Sequence, residues 1–191
     1  MTSLVFATNN THKLDEVRAM LQPEYSIVSL AELGCYDDIP ETADTLEGNA
    51  LLKAQYIFNK YGVDCFADDT GLEIDTLNGE PGVYSARYAG EACNAQSNMD
   101  KVLHLMENKT DRKARFRTTV ALIQKGEVHY FEGKVEGIIA LAPQGEKGFG
   151  YDPIFIPDGY DMSFAQLSAD KKNEISHRGL AVKKLVEYLN P

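Results

Sequence analysis

The sequence predicts an α/β fold built on a mixed β-sheet with flanking helices. Apolar runs typical of strands are interspersed along the chain with segments whose apolar residues recur at helical spacing. Of the 191 residues, 43% are hydrophobic and 25% are charged, so the chain can bury a core and is not intrinsically disordered. Since no repeat or low-complexity linker interrupts the sequence, one domain over residues 1–191 is expected.

The first half of the chain is predicted to contain three strands and two helices. Three short apolar runs are predicted as strands: Leu4–Ala7, Val63–Ala67 and Leu72–Ile74. Two segments have helical spacing: one with Leu14, Val17 and Leu21 on its apolar face, ended by Pro23, and one from about Glu47 to Lys60. The polar run Asp68-Asp69-Thr70-Gly71 is expected to form a corner between the last two strands.

The second half is predicted to add a hairpin, a loop and two helices. Phe116–Ile123 and Val128–Ile139 should form an antiparallel pair, with Lys125-Gly126 in the turn. The glycine-rich stretch Gly145–Tyr151 is expected to be a loop. Two segments have apolar residues at helical spacing and are predicted as helices: Asn94–Met106 and Ile175–Leu189.

Composition limits the partners that the chain can have. Its net charge of -10 argues against a general nucleic-acid binder, which neutralises phosphates with Lys and Arg. The basic run from Lys109 to Arg117 is therefore interpreted as a solvated entrance to the hairpin. The three cysteines form no CxxC pair, and the apolar run near the N-terminus is too short for a signal sequence or membrane span. A cytoplasmic protein without a membrane or nucleic-acid partner is expected.

A first candidate site lies between the first strand and the first helix, at Thr8-Asn9-Asn10-Thr11-His12-Lys13. The N–H groups at a helix N-terminus favour an anion, and Lys13 adds a full positive charge. The alternative is that Asn10 or Thr11 only caps the helix. The run is not a P-loop, because it lacks the glycines and the Gly-Lys-Ser/Thr ending.

A second candidate is the adjacent pair Asp68 and Asp69. Neighbouring carboxylates repel one another unless a cation is present, and carboxylate oxygens suit Mg²⁺. Because successive residues of extended backbone point to opposite faces, the two aspartates are not expected to share one role. The alternative is an ordinary turn, since Asp and Gly favour turns. Most of the acidic residues between Asp37 and Glu47 are interpreted as a solvated loop.

Two further candidates lie in the C-terminal part of the chain. In Gly148-Phe149-Gly150-Tyr151-Asp152-Pro153, glycines let the backbone approach a ligand and the ring offers a stacking face. A tight loop with a core aromatic explains that motif equally well. Lys172, His177 and Arg178 would bring cations to the start of the last helix, which indicates an anion or base-edge site. A histidine here is otherwise a cap or a surface residue.

Six motifs follow one another in an order that is not generic: Thr8-x-Asn10-x-x-Lys13, Asn49-Ala50-x-x-Lys53-Ala54, Ala67-Asp68-Asp69-Thr70-Gly71-Leu72, Pro81-Gly82-Val83-Tyr84-Ser85-Ala86-Arg87-Tyr88, Gly148-Phe149-Gly150-Tyr151-Asp152-Pro153 and Ile175-Ser176-His177-Arg178-Gly179. Together they resemble the inosine triphosphate pyrophosphatase family, whose members remove non-standard purine triphosphates such as ITP, dITP and XTP. The resemblance runs essentially from end to end of the chain.

The resemblance implies a mixed central sheet with two lobes around a nucleotide-binding cleft, in a Mg²⁺-dependent homodimeric enzyme. Asp69 would be the proton acceptor and a metal ligand, with Glu41 as the second metal carboxylate. Asn49 and Lys53, one helical turn apart, would face the phosphates. The residues implied in substrate binding are Thr8, Asn9, Asn10, Thr11, His12 and Lys13 for the triphosphate, Thr70, and Phe149, Gly150, Tyr151, Asp152, Lys172, His177 and Arg178 for the nucleoside.

The sequence departs from the family pattern at two positions. Asn9 stands where glycine is frequent, so the backbone is expected to approach the phosphates less closely, and Gly48 stands where an acid is common.

The sequence leaves two other functions as alternatives. The Maf-like nucleotide pyrophosphatases have a similar fold and act on other nucleotides, and the motifs Ser176–Gly179 and Phe149–Pro153 argue against them. A nucleotide sensor without catalysis would not need the general base Asp69.

Overall fold

The computed structural model describes residues 2–21 and 23–190, and the chain folds into two compact units. Unit 1 consists of Met1–Asp69, Thr118–Gly133 and Arg178–Pro191, and unit 2 consists of Thr70–Arg117 and Lys134–His177. Each unit is therefore assembled from separate stretches of chain. The expected cleft stays a prediction, as does the single domain over residues 1–191.

The described residues form one six-stranded mixed sheet, which confirms the predicted fold class. Its strands are β1 (Thr2–Phe6), β2 (Tyr25–Val28), β3 (Cys65–Ile74), β4 (Lys113–Gln124), β5 (Glu127–Ile139) and β6 (Phe155–Pro157). Their order in the sheet is β2-β1-β3-β4-β5-β6. β1 is parallel to β2, with Leu4 opposite Ile27, and parallel to β3, with Phe6 opposite Phe66. β5 and β6 are antiparallel.

The α-helices of the described chain are α1 (Thr11–Leu21), α2 (Leu30–Leu33), α3 (Leu46–Tyr61), α4 (Ala95–Leu105), α5 (Ala169–Ile175) and α6 (His177–Leu189). Side-chain caps explain several of their starts. Thr45 accepts a hydrogen bond from the Gly48 backbone at the start of α3, and Asn94 accepts one from Ser97 at the start of α4. The described helices include none that is long and apolar enough to cross a membrane.

In unit 1, apolar side chains alternate between the two faces of the sheet. Phe66 of β3 stacks on Phe6, with ring centroids 4.5 Å apart, in a cluster that includes residues of α1 and α6. Its neighbours Cys65 and Ala67 belong instead to a cluster with Ala50, Ala54 and Ile57 of α3. Because strand side chains alternate, the residue after Ala67 must face the α1 and α6 side, and the next one must face α3.

Unit 2 has its own apolar core. Phe116 of β4 lies against Phe155 and Phe164, with ring centroids 4.7 and 6.0 Å away. Met99, Val102 and Met106, from α4 and the residue that follows it, belong to the same cluster, together with Leu72 and Ile74 of β3. The two units therefore bury separate cores, as each must to be compact.

The predicted corner at residues 68–71 is wrong, because β3 continues from Cys65 to Ile74 without a turn. The polar residues stay extended since nearly the whole strand is buried. Position 71 requires a glycine because another backbone segment packs closely against it, and not because the chain turns there. A Cβ on Gly71 would lie only 2.7 Å from the backbone oxygen of Gly82.

The predicted helix over residues 175–189 is also wrong at its start. Ser176 has extended dihedral angles (φ -72, ψ 158), so α5 ends at Ile175 and α6 begins at His177. Lys172 consequently lies in the last turn of α5, where a helix dipole favours a cation, and not at the start of the last helix.

Other predicted elements are confirmed within one to three residues at their boundaries. The helices predicted around Leu14 and over residues 47–60 and 94–106 are α1, α3 and α4. β4 and β5 are joined by Lys125 and Gly126, which have φ angles of 51 and 84, as a two-residue type I′ turn requires. β2, β6 and the short helix α2 were not predicted.

The basic run before and within β4 is largely neutralised inside unit 2. Arg115 lies 2.8 Å from Asp75 and 3.0 Å from Glu136, and Arg117 lies 3.0 Å from Glu73. Arg112 donates to backbone oxygens, including that of Met106 at 2.8 Å. These paired charges favour the interpretation that the run is not a nucleic-acid surface.

Candidate active site

The loop between β1 and α1 is partly organised by its own side chains. The Asn10 carboxamide oxygen accepts a hydrogen bond from the Lys13 backbone N–H at 3.1 Å, and the Thr8 hydroxyl accepts one from the Asn10 backbone N–H at 3.1 Å. The capping alternative is therefore confirmed for Asn10. Asn9, Thr11 and His12 are exposed, so a cap and an anion site remain compatible in this loop.

Asp68 lies on the α1 and α6 side of the sheet, between two cations. One of its oxygens accepts a hydrogen bond from Lys13 Nζ at 2.9 Å, and the other accepts one from Arg178 Nε at 3.0 Å. Arg178 also pairs with Glu16, and both Asp68 and Arg178 are only 2% exposed. Burial alone would raise the pKa of Asp68, but the charges of Lys13 and Arg178 hold that pKa well below its ordinary value.

Asp69 faces α3, on the other side of the sheet. Its carboxylate accepts a hydrogen bond from the Asn49 amide at 3.1 Å and lies 3.9 Å from Lys53 Nζ. Asn49 is itself fixed, because its oxygen accepts the Ala43 backbone N–H at 2.9 Å. Burial raises the pKa of Asp69 above its ordinary value, although Lys53 opposes this. The expectation that the two aspartates point to opposite faces is confirmed.

Lys53 connects Asp69 with Glu41. Its ammonium is hydrogen-bonded to the Glu41 carboxylate while also approaching Asp69. Burial would lower the pKa of Lys53, but the charges of Asp69 and Glu41 raise it overall. Two carboxylates from distant parts of the sequence thus approach one positive charge.

This pair of carboxylates fits a magnesium ion in number and type. Mg²⁺ in nucleotide sites is commonly held by one or two carboxylates, with phosphate oxygens and water completing its shell. Among residues 2–21 and 23–190, no group of three or more His, Cys, Asp or Glu is arranged to hold a metal. Asp69 and Glu41 are the residues that could hold Mg²⁺ together with phosphate oxygens and water.

In unit 2, the loop predicted to contact the nucleoside is built around Asp152. The Asp152 carboxylate accepts hydrogen bonds from the Phe149 backbone at 2.8 Å and from Lys172 Nζ at 2.6 Å. The Lys172 ammonium also lies 4.9 Å from the centre of the Phe149 ring. Gly148 has φ 74, and a Cβ there would lie 2.1 Å from an Asp152 oxygen, so only glycine fits.

The Tyr151 hydroxyl has an internal partner. It donates to the backbone oxygen of Ser85 at 2.7 Å, and burial raises the pKa of Tyr151 above its ordinary value. The Ser85 hydroxyl in turn accepts the Leu72 backbone N–H at 2.9 Å and donates to the Gly82 oxygen at 2.6 Å. Asn98 donates to the Ala86 oxygen at 2.9 Å. Sequence reasoning assigned no role to Ser85 or Asn98.

Lys172, His177 and Arg178 are divided between the two units and have different partners there. Lys172 pairs with Asp152, and the His177 ring stacks on Phe116 with centroids 4.5 Å apart, both within unit 2. Arg178 belongs to unit 1, where Asp68 and Glu16 accept its hydrogen bonds. Lys172 therefore does not lie at the start of the last helix, and the shared anion or base-edge site of the three residues stays a prediction. Thr70 directly follows Asp69 in β3 and is partly exposed.

The model of the Ham1 family matches residues 4–188. The chain belongs to the Ham1 family. A Porphyromonas gingivalis protein named dITP/XTP pyrophosphatase is 55% identical, over 99% of this chain and 98% of the relative. A Bacillus subtilis protein of the same name is 47% identical, over 99% of this chain and 98% of the relative.

Solved structures of Ham1 proteins have the same fold. The Staphylococcus aureus Ham1 protein matches with a TM-score of 0.89 and 40% identity, over 99% of this chain and 98% of that protein. The Coxiella burnetii HAM1 protein matches with a TM-score of 0.91 and 37% identity, over 100% and 99% of the two chains. The resemblance read from the six motifs is confirmed, and the Maf-like alternative loses its support.

Proposed function

We propose that this Ham1 chain is a magnesium-dependent enzyme that hydrolyses the non-standard purine triphosphates ITP, dITP and XTP to the monophosphate and pyrophosphate, which keeps these bases out of DNA and RNA. Membership of a family whose close relatives are named dITP/XTP pyrophosphatase carries the proposal. The arrangement of the buried residues Asp69, Asn49 and Lys53 with the partly exposed Glu41 supports it, because a non-catalytic sensor would not need a carboxylate held for proton transfer.

Asp69 is proposed to act as the general base. A water oxygen forms a bond to the α-phosphorus while Asp69 accepts one of the water protons. The bond from the α-phosphorus to the oxygen that bridges it to the β-phosphorus then breaks, and pyrophosphate leaves with that electron pair. The raised pKa of Asp69 makes its carboxylate a stronger base than an exposed one, and Asn49 fixes its orientation.

Most of the remaining catalysis is proposed to come from charge neutralisation, which dominates phosphoryl-type transfer. Asp69 and Glu41 would hold Mg²⁺, which when bound supplies charge compensation for the phosphate oxygens. Lys13 and the exposed residues Asn9 to His12 are proposed to bind the triphosphate. Burial and the neighbouring cations Lys53 and Arg178 lower the pKa of Lys13, so a bound polyphosphate would stabilise its charged form.

The nucleoside is proposed to contact the loop of Phe149 to Asp152 together with Lys172 and His177. Phe149 offers a ring face, and the buried pair of Asp152 and Lys172 offers an acceptor and a donor. Hypoxanthine and xanthine carry a carbonyl where adenine carries an amino group. A site that donates a hydrogen bond to that carbonyl rejects the mismatched base by roughly 10⁴-fold. Arg178, suggested by the sequence as a donor, already donates to Asp68 and Glu16.

Pyrophosphate release from ITP, XTP, GTP and ATP, each with and without Mg²⁺, tests the proposal. We expect rapid release from ITP and XTP with Mg²⁺, little release without it, and slow release from ATP. Equal rates with ATP and ITP would contradict the proposed base recognition. Binding of ITP without any turnover would instead support the sensor.

The bond that breaks is tested by hydrolysis of ITP in water enriched in ¹⁸O. Attack at the α-phosphorus places the label in the monophosphate. Label found in the pyrophosphate would contradict the proposed position of the water.

A homodimer is also proposed, on the family resemblance alone. Sedimentation equilibrium across a range of protein concentrations tests it, and a monomer at every concentration would contradict it. The cytoplasmic location expected from the cysteines stays a prediction.

A further inference from the structure

The Thr119 hydroxyl is buried without a visible partner. Thr119 lies in β4 and is 1% exposed, and its Oγ1 has no hydrogen-bond partner among residues 2–21 and 23–190. Buried polar groups are nearly always hydrogen-bonded, either to protein or to an ordered water. The polar groups that share its face of the sheet are therefore the candidates for its partner.

Thr119 lies on the same face of the sheet as Asp69. Further along β4, Ala121 and Ile123 belong to the α3-side cluster that also contains Ala67, whereas Val120 and Leu122 belong to the cluster on the other side. Since strand side chains alternate, Thr119 shares the face of Ala121. That face carries Asp69, with its partners on α3.

The ladder between β3 and β4 also places Thr119 near Asp69. The two strands are neighbours in the sheet, and the Lys125 backbone, just after β4, donates to the Asp64 side chain, just before β3, at 2.8 Å. The strands therefore run antiparallel from this contact. Asp69 lies five residues after Asp64, and Thr119 lies six residues before Lys125. In an antiparallel pair this places Asp69 and Thr119 directly or diagonally opposite one another. Their Cβ atoms are then about 4.5–8 Å apart.

We propose that the Thr119 hydroxyl and the Asp69 carboxylate hold between them the water molecule that attacks the α-phosphorus. A water bridging two such groups fits this spacing and gives the buried hydroxyl a partner. This inference rests on the proposed function. Thr119 is a positioning residue, because it acts on the substrate only through the water.

The assignment of protons follows from the two partners. The water donates one hydrogen to Asp69, which takes that proton as the new bond from oxygen to phosphorus forms. The other hydrogen is donated to Thr119 Oγ1, and the water lone pair is left to point at the phosphorus. Thr119 keeps its own proton throughout, so pyrophosphate leaves as described above.

Thr119→Val removes the hydroxyl and keeps the shape, whereas Thr119→Ser keeps the hydroxyl. We expect Thr119→Val to lower kcat for ITP by about 10–100-fold, because a displaced nucleophile is that costly, with little change in KM. Thr119→Ser should retain most of the activity. The melting temperature of Thr119→Val should stay close to that of the wild type, because losing one hydrogen bond to a water changes the stability by only about 1 kcal/mol. Thr110→Val, on an exposed loop, is the matched control and should not change kcat.

Wild-type kcat in Thr119→Val would overturn the inference, as would an equal loss of kcat in Thr119→Ser. A high-resolution crystal structure of the wild type gives a test that does not depend on activity. We expect a water within hydrogen-bonding distance of both Thr119 Oγ1 and Asp69, and a Thr119 hydroxyl bonded to a protein atom without that water would contradict it. A wild type that fails to hydrolyse ITP would refute the proposed function, while the crystal structure would still decide whether the water is held.

Discussion

Asp68 and Asp69 are adjacent in β3 and both are buried, yet their surroundings differ in kind. Asp68 is held between the cations Lys13 and Arg178, and its pKa is well below its ordinary value. Asp69 accepts a hydrogen bond from the neutral amide of Asn49 and lies 3.9 Å from the Lys53 ammonium, and its pKa is raised. A carboxylate saturated by ion pairs is a poor proton acceptor. Alternation along one strand therefore gives two adjacent carboxylates opposite surroundings, one held by two cations and the other suited to the proposed role of base.

The largest expected effect comes from removing the base. Asp69→Asn should lower kcat for ITP by about 10²–10⁴-fold, the usual contribution of a general base, while the protein stays folded and binds ITP with similar affinity. Steady-state kinetics and isothermal titration calorimetry with ITP measure the two quantities. Normal turnover in this variant would end the assignment of Asp69.

Asp68→Asn should act mainly on stability. It leaves Lys13 and Arg178 buried without their shared carboxylate, and breaking a buried ion pair in this way costs about 3–5 kcal/mol. Urea denaturation measures the free energy of unfolding. A loss below about 1 kcal/mol, the value of an exposed ion pair, would show that Asp68 is not the structural member of the pair.

The two aspartates should also respond differently to acid. The raised pKa of Asp69 means that it takes up its proton at a higher pH than an ordinary aspartate, and a protonated base is inactive. The acid limb of the kcat/KM profile for ITP should therefore lie above the ordinary aspartate pKa of 3.8. A limb at or below that value would contradict the assignment.

The change of the unfolding free energy with pH should depend on Asp68 instead. Because the pKa of Asp68 is lower in the folded state than in the unfolded state, its stabilising contribution is present above the ordinary value of 3.8 and is lost as the pH falls through the folded pKa. Urea denaturation at a series of pH values should show a smaller loss on acidification in Asp68→Asn than in the wild type. Parallel curves for the two proteins would contradict this.

The smallest expected effect comes from a neutral hydrogen bond of unit 2. Tyr151→Phe removes the hydrogen bond to the Ser85 oxygen and should cost about 1 kcal/mol of stability. If the bond also positions the loop of Phe149 and Asp152, KM for ITP should rise by up to about fivefold, the equivalent of that energy. Thermal melts and ITP kinetics measure both, with the exposed Tyr36→Phe as control. An unchanged protein in both assays would show that the bond positions nothing.

The elements of the fold that depend on short stretches of sequence were predicted correctly. α1, α3, α4 and the β4–β5 turn follow from helical spacing and from Lys125-Gly126. The opposite orientation of Asp68 and Asp69 follows from the geometry of any strand. The corner predicted at residues 68–71 failed because burial by distant segments, including the backbone of Gly82 against Gly71, keeps that polar run extended.

The partners within the candidate site were largely outside the reach of sequence reasoning. The motifs predicted which residues matter, but Asp68 and Arg178 are 110 positions apart, and nothing local indicates that they pair. Ser85 was part of a motif without a role, because its function depends on contacts with Leu72 and Tyr151. Thr119 carried no signal at all, since an apolar strand tolerates a threonine and only burial shows that its hydroxyl lacks a partner.

The most direct test of the difference between the two aspartates is the rate of ITP hydrolysis per folded molecule in Asp69→Asn and Asp68→Asn, measured side by side with Mg²⁺. Unfolding curves at the assay temperature supply the folded fraction. We expect Asp69→Asn to be slower than Asp68→Asn by at least about tenfold, since Asp69 is the proposed proton acceptor. Equal rates per folded molecule, or a slower Asp68→Asn, would contradict it.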